Sequence, residues 1–149
     1  MDLILWRHAE AEDAANDLAR ELTSKGRKQA DRMAAWLREH LPSDYLLIAS
    51  PALRAQQTAQ ALGAPETAND IAPGAAVSAI LEAARWPEYE GTVVLVGHQP
   101  VLGQTAAYLV TGSASGLSIR KGGLWWLSRR LRDEGEQVVV RAVVSPELL

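Results

Sequence analysis

Thr92-Val93-Val94-Leu95-Val96-Gly97-His98-Gln99-Pro100 is the stretch on which the fold turns. Its first five residues are apolar in character and do not alternate with polar ones. A strand buried on one face would alternate; a central strand of a parallel sheet, covered on both faces, does not. The run then stops at Gly97-His98, so a titratable ring follows directly on a buried strand. Two other runs share this form. Leu3-Ile4-Leu5-Trp6 is followed by Arg7-His8, and Tyr45-Leu46-Leu47-Ile48-Ala49 by Ser50-Pro51.

Helical periodicity fills the intervals. From Gly26 to Leu41 the apolar positions are Ala30, Met33, Ala34, Leu37 and Leu41, one face of a helix. Thr23 or Ser24 suits its N-cap, and Pro42 stops it. Similar stripes predict helices over Pro51–Leu62, Ala75–Ala84 and Val101–Val110. Near the C-terminus, Leu124–Ser128 and Val138–Val143 read as strands joined by a turn at Asp133-Glu134-Gly135, a hairpin. The segments Leu62–Pro73 and Thr111–Gly123, rich in small and turn-forming residues, read as loops. Strands alternating with helices predict a three-layer α/β/α sandwich with a mostly parallel central sheet. The 149 residues suit a single domain over 1–149.

Composition narrows the chemistry. There is no cysteine, so thiolate metal sites, disulfides and a cysteine nucleophile are excluded. A net charge of -3 argues against a general nucleic-acid binder. The N-terminal apolar run is four residues long and does not resemble a secretion signal, and no stretch reaches the length of a membrane span. The expectation is a cytoplasmic protein that contacts neither membrane nor nucleic acid.

In a parallel sheet, ligands bind beyond the carboxyl ends of the strands. Arg7, His8, Arg54 and His98 all fall at or just after such ends. Ser50 as N-cap and Pro51 as first helical residue would put Arg54 in a helix's first turn, where the dipole disfavours a cation and favours a bound anion. The bland reading is that Arg54 simply reaches solvent. Arg7, leaving a buried strand, needs an anionic partner, either a ligand or Glu10 or Glu12. His8 or His98 alone would more often be a hydrogen-bonded structural residue; four such groups converging on one phosphoryl group are a site. His40, in the last turn of a helix, suits the dipole there and is assigned no function.

These residues lie in motifs that resemble those of the histidine phosphatase, or phosphoglycerate mutase-like, superfamily. Arg7-His8 matches its R-H start. Ser50-Pro51-Ala52-Leu53-Arg54-Ala55-Gln56-Gln57-Thr58 matches S-P-x-x-R-A-x-Q-T, Gly97-His98-Gln99-Pro100 matches G-H-x-P, and Leu22–Gly26 looks like L-T-x-x-G. The short length, Arg7-His8-Ala9-Glu10-Ala11 and Ser145-Pro146-Glu147-Leu148 look most like the SixA-type phosphohistidine phosphatases. Ala9 stands where many members have glycine.

The resemblance implies a phosphoglycerate mutase-like fold and a hydrolase with His8 as nucleophile. Arg7, Arg54 and a protonated His98 would hold the phosphoryl oxygens, with no metal and no cofactor. Larger members take a glutamate proton donor from the segment before G-H; here only Asp70 and Glu82 are candidates. The substrate implied is phosphohistidine on a protein, for example a histidine-containing phosphotransfer domain, whose imidazole leaves without strong acid help. The alternatives are a phosphatase of small phosphate esters or metabolites, and a non-catalytic phosphate-binding module. A monomer is expected, although Trp125 and Trp126 on an edge strand would leave dimerisation open.

Overall fold

The computed structural model describes residues 1–149. One six-stranded sheet runs in the order β3-β2-β4-β1-β5-β6. Its strands are β1 (Asp2–Arg7), β2 (Leu46–Ala49), β3 (Glu66–Thr67), β4 (Thr92–Gly97), β5 (Leu124–Arg132) and β6 (Gly135–Val144). β3, β2, β4 and β1 are parallel, while β5 and β6 form an antiparallel hairpin on the β1 side. The stretch 92–97 is thus central, paired on both sides and buried along its whole length.

The unbroken apolar runs work because the pleat sends alternate residues into two cores. Ile4, Trp6, Val94 and Val96 meet α1 (Ser24–His40) and α2 (Leu53–Gln60) on one face. Leu3, Leu5, Val93 and Leu95 meet α3 (Val77–Ala83) and α4 (Val101–Thr111) on the other. This is the expected three-layer α/β/α sandwich. No helix is long and apolar enough to cross a membrane.

Several local expectations are corrected. Thr23 is the N-cap of α1, its hydroxyl accepting the Gly26 N–H, so the helix starts two residues before Gly26. Ser50 is not the N-cap of α2, and Pro51 is not helical; Ala52 occupies the cap and the Ser50 hydroxyl accepts the Ala52 N–H at 3.2 Å. The stretch 62–73 contains the short edge strand β3, held by pairing to β2, and a 3₁₀ turn at Asn69–Ile71 anchored by the buried Ile71. Trp125 and Trp126 are not on an edge strand, because β5 lies between β1 and β6. Trp126 is buried, with its indole N–H donated to Asp2.

Candidate active site

Register brings the strand ends together. Arg7 pairs with Gly97 across β1 and β4, and Ala49 with Val96 across β2 and β4. The His8 N–H donates to the Gly97 carbonyl and the Ser50 N–H to the Val96 carbonyl, each at 3.0 Å. His8, Ser50 and His98 therefore emerge side by side at the carboxyl edge. The His8 and His98 rings lie 5.2 Å apart between centroids, and the Arg54 Nε donates to His8 Nε2 at 3.4 Å.

His8, Arg54 and His98 are 8%, 4% and 3% exposed, while Arg7 is half-buried. The His8 Nδ1–H donates to the Ala9 carbonyl at 2.8 Å, which leaves the lone pair on Nε2. Burial, reinforced by the Arg54 and Arg7 charges, lowers the His8 pKa to about 4. Burial, the neighbouring His8 and Arg54 lower that of His98 to about 3. Both rings are neutral at pH 7 in the free site. A protonated His98 is therefore not the resting state; two arginines disfavour a third cation until an anion arrives.

Arg7 has no acidic partner. Neither Glu10 nor Glu12 reaches it; its Nη1 donates to the Ile119 carbonyl at 2.8 Å, and its buried Nε has no partner. His98 Nε2 lies 2.7 Å from the Ser50 hydroxyl, and its Nδ1 is buried without a partner. Arg54 is in the first turn of α2 as expected, but it does not reach solvent. Its guanidinium donates to the Asp17 carbonyl at 2.7 Å and the Asp17 carboxylate at 3.2 Å. Nothing in the sequence distinguishes Asp17 among the acids of Ala9–Asp17 before the chain folds.

The rest of the motifs build the frame. Thr58 accepts the Ala9 N–H at 3.0 Å and donates to the Arg54 carbonyl at 2.8 Å, tying the residue after His8 to α2. The Gln57 side chain accepts the Leu22 N–H at 2.8 Å. Gly26 is required by approach: a Cβ there would meet the Glu10 carbonyl oxygen at 2.0 Å.

Asp70 and Glu82 make no hydrogen bond or ion pair to His8, Arg54 or His98. Both line a shallow depression with Ala68, Ser78, Ala79 and Ala83, which shares no residue with the cluster around His8. His40 stacks on Trp36 at 4.3 Å and bonds to its carbonyl, a structural role.

The profile of the histidine phosphatase superfamily (branch 1) matches residues 3–74. Phosphohistidine phosphatase SixA of Escherichia coli (strain K12) is 32% identical over 123 residues, covering 75% of this chain and 76% of that protein. A SixA-type structure from Nakamurella multipartitia superposes with a TM-score of 0.77 at 30% identity, over 97% of this chain and 96% of the other. The protein histidine phosphatase SixA complexed with tungstate shares the fold, with a TM-score of 0.81 at 24% identity over 99% of both chains. With these relatives and with the strand-end cluster in place, the chain belongs to the histidine phosphatase superfamily, among its SixA-type members.

Proposed function

We propose that this phosphatase hydrolyses phosphohistidine on a protein, through a covalent phosphohistidine at His8 and without a metal ion. The observation that carries the reading is the state of His8. Its Nδ1 is committed to the Ala9 carbonyl, its pKa is depressed to about 4, and its Nε2 carries no proton and accepts only a long 3.4 Å bond from Arg54 Nε. A neutral ring with one fixed lone pair is a nucleophile at pH 7.

Nε2 attacks phosphorus, and the N–P bond to the substrate imidazole breaks. That ring takes the electron pair and a proton from water, and the hydroxide so formed takes up the proton shed when water attacks in the next step. A water molecule then attacks the phosphoryl group on His8, releasing phosphate and the neutral ring. Phosphoryl transfer depends on positioning and charge neutralisation. Arg7 and Arg54 supply both, and the planar guanidinium suits phosphate oxygens. The unpartnered Arg7 Nε is a donor left for the anion, and the unpartnered His98 Nδ1 serves as one once its ring is protonated. As a dianion enters, it favours protonation of His98, so binding takes up a proton.

A second consideration favours an N–P over an ester substrate. Neither candidate acid, Asp70 or Glu82, bonds to His8, Arg54 or His98, and an imidazole leaving group needs a general acid less than an alkoxide does. The test is a panel of phosphohistidine proteins and sugar phosphates, measuring released phosphate. Preferential turnover of phosphohistidine, insensitive to chelators, supports the reading. Faster turnover of sugar phosphates would overturn it.

A further inference from the structure

Beside the catalytic cluster, and sharing only Arg7 with it, lies an open groove of about 590 Å³. Its walls come from three distant segments: Lys25, Lys28 and Arg32 of α1, Arg120 and Lys121 of the loop before β5, and the C-terminal turn at Pro146-Glu147. With Arg7 the lining holds six cations against two acids, Glu10 and Glu147. That surplus of four positive charges sits on a chain whose net charge is -3, so the segregation is strong.

Both acids are engaged already. Glu147 pairs with Arg120 at 3.2 Å, and Glu10 accepts the Thr23 hydroxyl at 2.9 Å. Lys25, Lys28, Arg32 and Lys121 make no ion pair within the chain. Lys25, Lys28 and Arg32 are spaced i, i+3 and i+7, which puts them on one face of α1, away from its buried residues. The helix carries no acid in its first turn, where its dipole disfavours lysine. Local preference is thus violated twice, by repulsion among the cations and by the dipole, as happens where a surface serves a ligand.

We propose that this groove docks an acidic protein surface flanking the phosphohistidine that enters the His8 cluster. The proposal rests on the phosphohistidine reading and specifies the partner. The three α1 cations extend about 10 Å along the helix, more than one phosphate needs. They are exposed and open to solvent, and Ile119 is the one hydrophobic residue of the lining. Exposed lysines attract and orient a charged face over a distance; they do not grip a small molecule as buried arginine forks do.

The experiment uses synthetic peptides of one length, each carrying a phosphohistidine flanked by glutamates or by glutamines. The full-length enzyme and its K25E/K28E/R32E variant are compared by the ratio of kcat/KM for the two peptides. The wild type is expected to prefer the acidic peptide about tenfold at low salt, the preference fading as ionic strength rises. The variant is expected to lose or reverse it. No preference in the wild type, or one that survives in the variant, would overturn the docking surface.

Fluorescence anisotropy with labelled, unphosphorylated versions of the peptides separates this from the catalytic reading. If neither phosphopeptide turns over but the acidic one binds in a K25E/K28E/R32E-sensitive way, the catalytic reading fails and the groove stands. Fructose 1,6-bisphosphate is the remaining arm. Its preference over fructose 6-phosphate, lost in the variant while the peptides are not discriminated, would make the groove a small-molecule subsite and sink the proposal.

Discussion

The His8 cluster and the basic groove are both positively charged and share Arg7, yet they differ in every other physical respect. His8, Arg54 and His98 are almost fully buried, and their rings are held neutral. Lys25, Lys28, Arg32 and Lys121 are exposed to water. In a low dielectric a charge is expensive and a well-placed donor strong; at the surface the same charge costs little and is screened. Burial suits a region to bond-making, and exposure suits one to encounter. The comparison predicts that substitutions in the cluster change rate constants and that substitutions in the groove change partner choice.

The largest expected effect is at the nucleophile. His8→Ala should lose turnover on the order of 10⁶-fold, as removal of a catalytic nucleophile does. Quenching wild-type enzyme with labelled substrate should trap an acid-labile label that the variant lacks. Acid-stable label, or label surviving in His8→Ala, would assign the chemistry to another residue. Next come the groups that hold the phosphoryl oxygens. His98→Ala and Arg54→Ala should each cost about 10²–10³ in rate, while the enzyme can still be labelled. Arg54→Ala should also weaken vanadate inhibition; an unchanged inhibition constant would remove Arg54 from the site.

Protonation sharpens the contrast further. The folded pKa values of His8 and His98, about 4 and about 3, lie below the ordinary histidine value of 6.5. Between those values the unfolded chain binds more protons than the folded one, so acid favours unfolding. Stability should be full above pH 6.5 and fall as the pH drops toward 4, His8 contributing on the order of 3 kcal/mol. Urea midpoints at pH 7.5 and 4.5 measure it, and His8→Ala should weaken the dependence, leaving the part due to His98.

The smallest effect is at Asp17. Its carboxylate donates no proton to the cluster but accepts from Arg54 at 3.2 Å, competing with an incoming anion. Asp17→Asn should tighten vanadate binding a few-fold, since the Asp17 end of the pair is exposed and screened by water. Weaker binding would mean that Asp17 orients the guanidinium instead.

The sequence by itself determined the architecture and the four central residues of the candidate site. Apolar runs without alternation demand cover on both faces, and a chain of such runs separated by helices has few ways to fold; 92–97 became a central strand for that reason. Arg7, His8, Arg54 and His98 were legible because strand ends and a helix's first turn are positions with known geometry. Elements without a pattern of their own were not legible. β3 is two exposed residues that become a strand by pairing with β2, and Ser50 passes from helix cap to partner of His98 because the first turn begins later.

Only the tertiary structure decided what depends on distance between remote segments. It put Asp17 on Arg54, turned Arg7 toward Ile119 rather than Glu10, and set Asp70 and Glu82 in a depression of their own. It also joined α1, the 118–121 loop and the C-terminal turn into one basic groove. The state of the histidines belongs here too. A histidine's charge follows from the water and the arginines around it, and the sequence carries no record of either until the chain has packed.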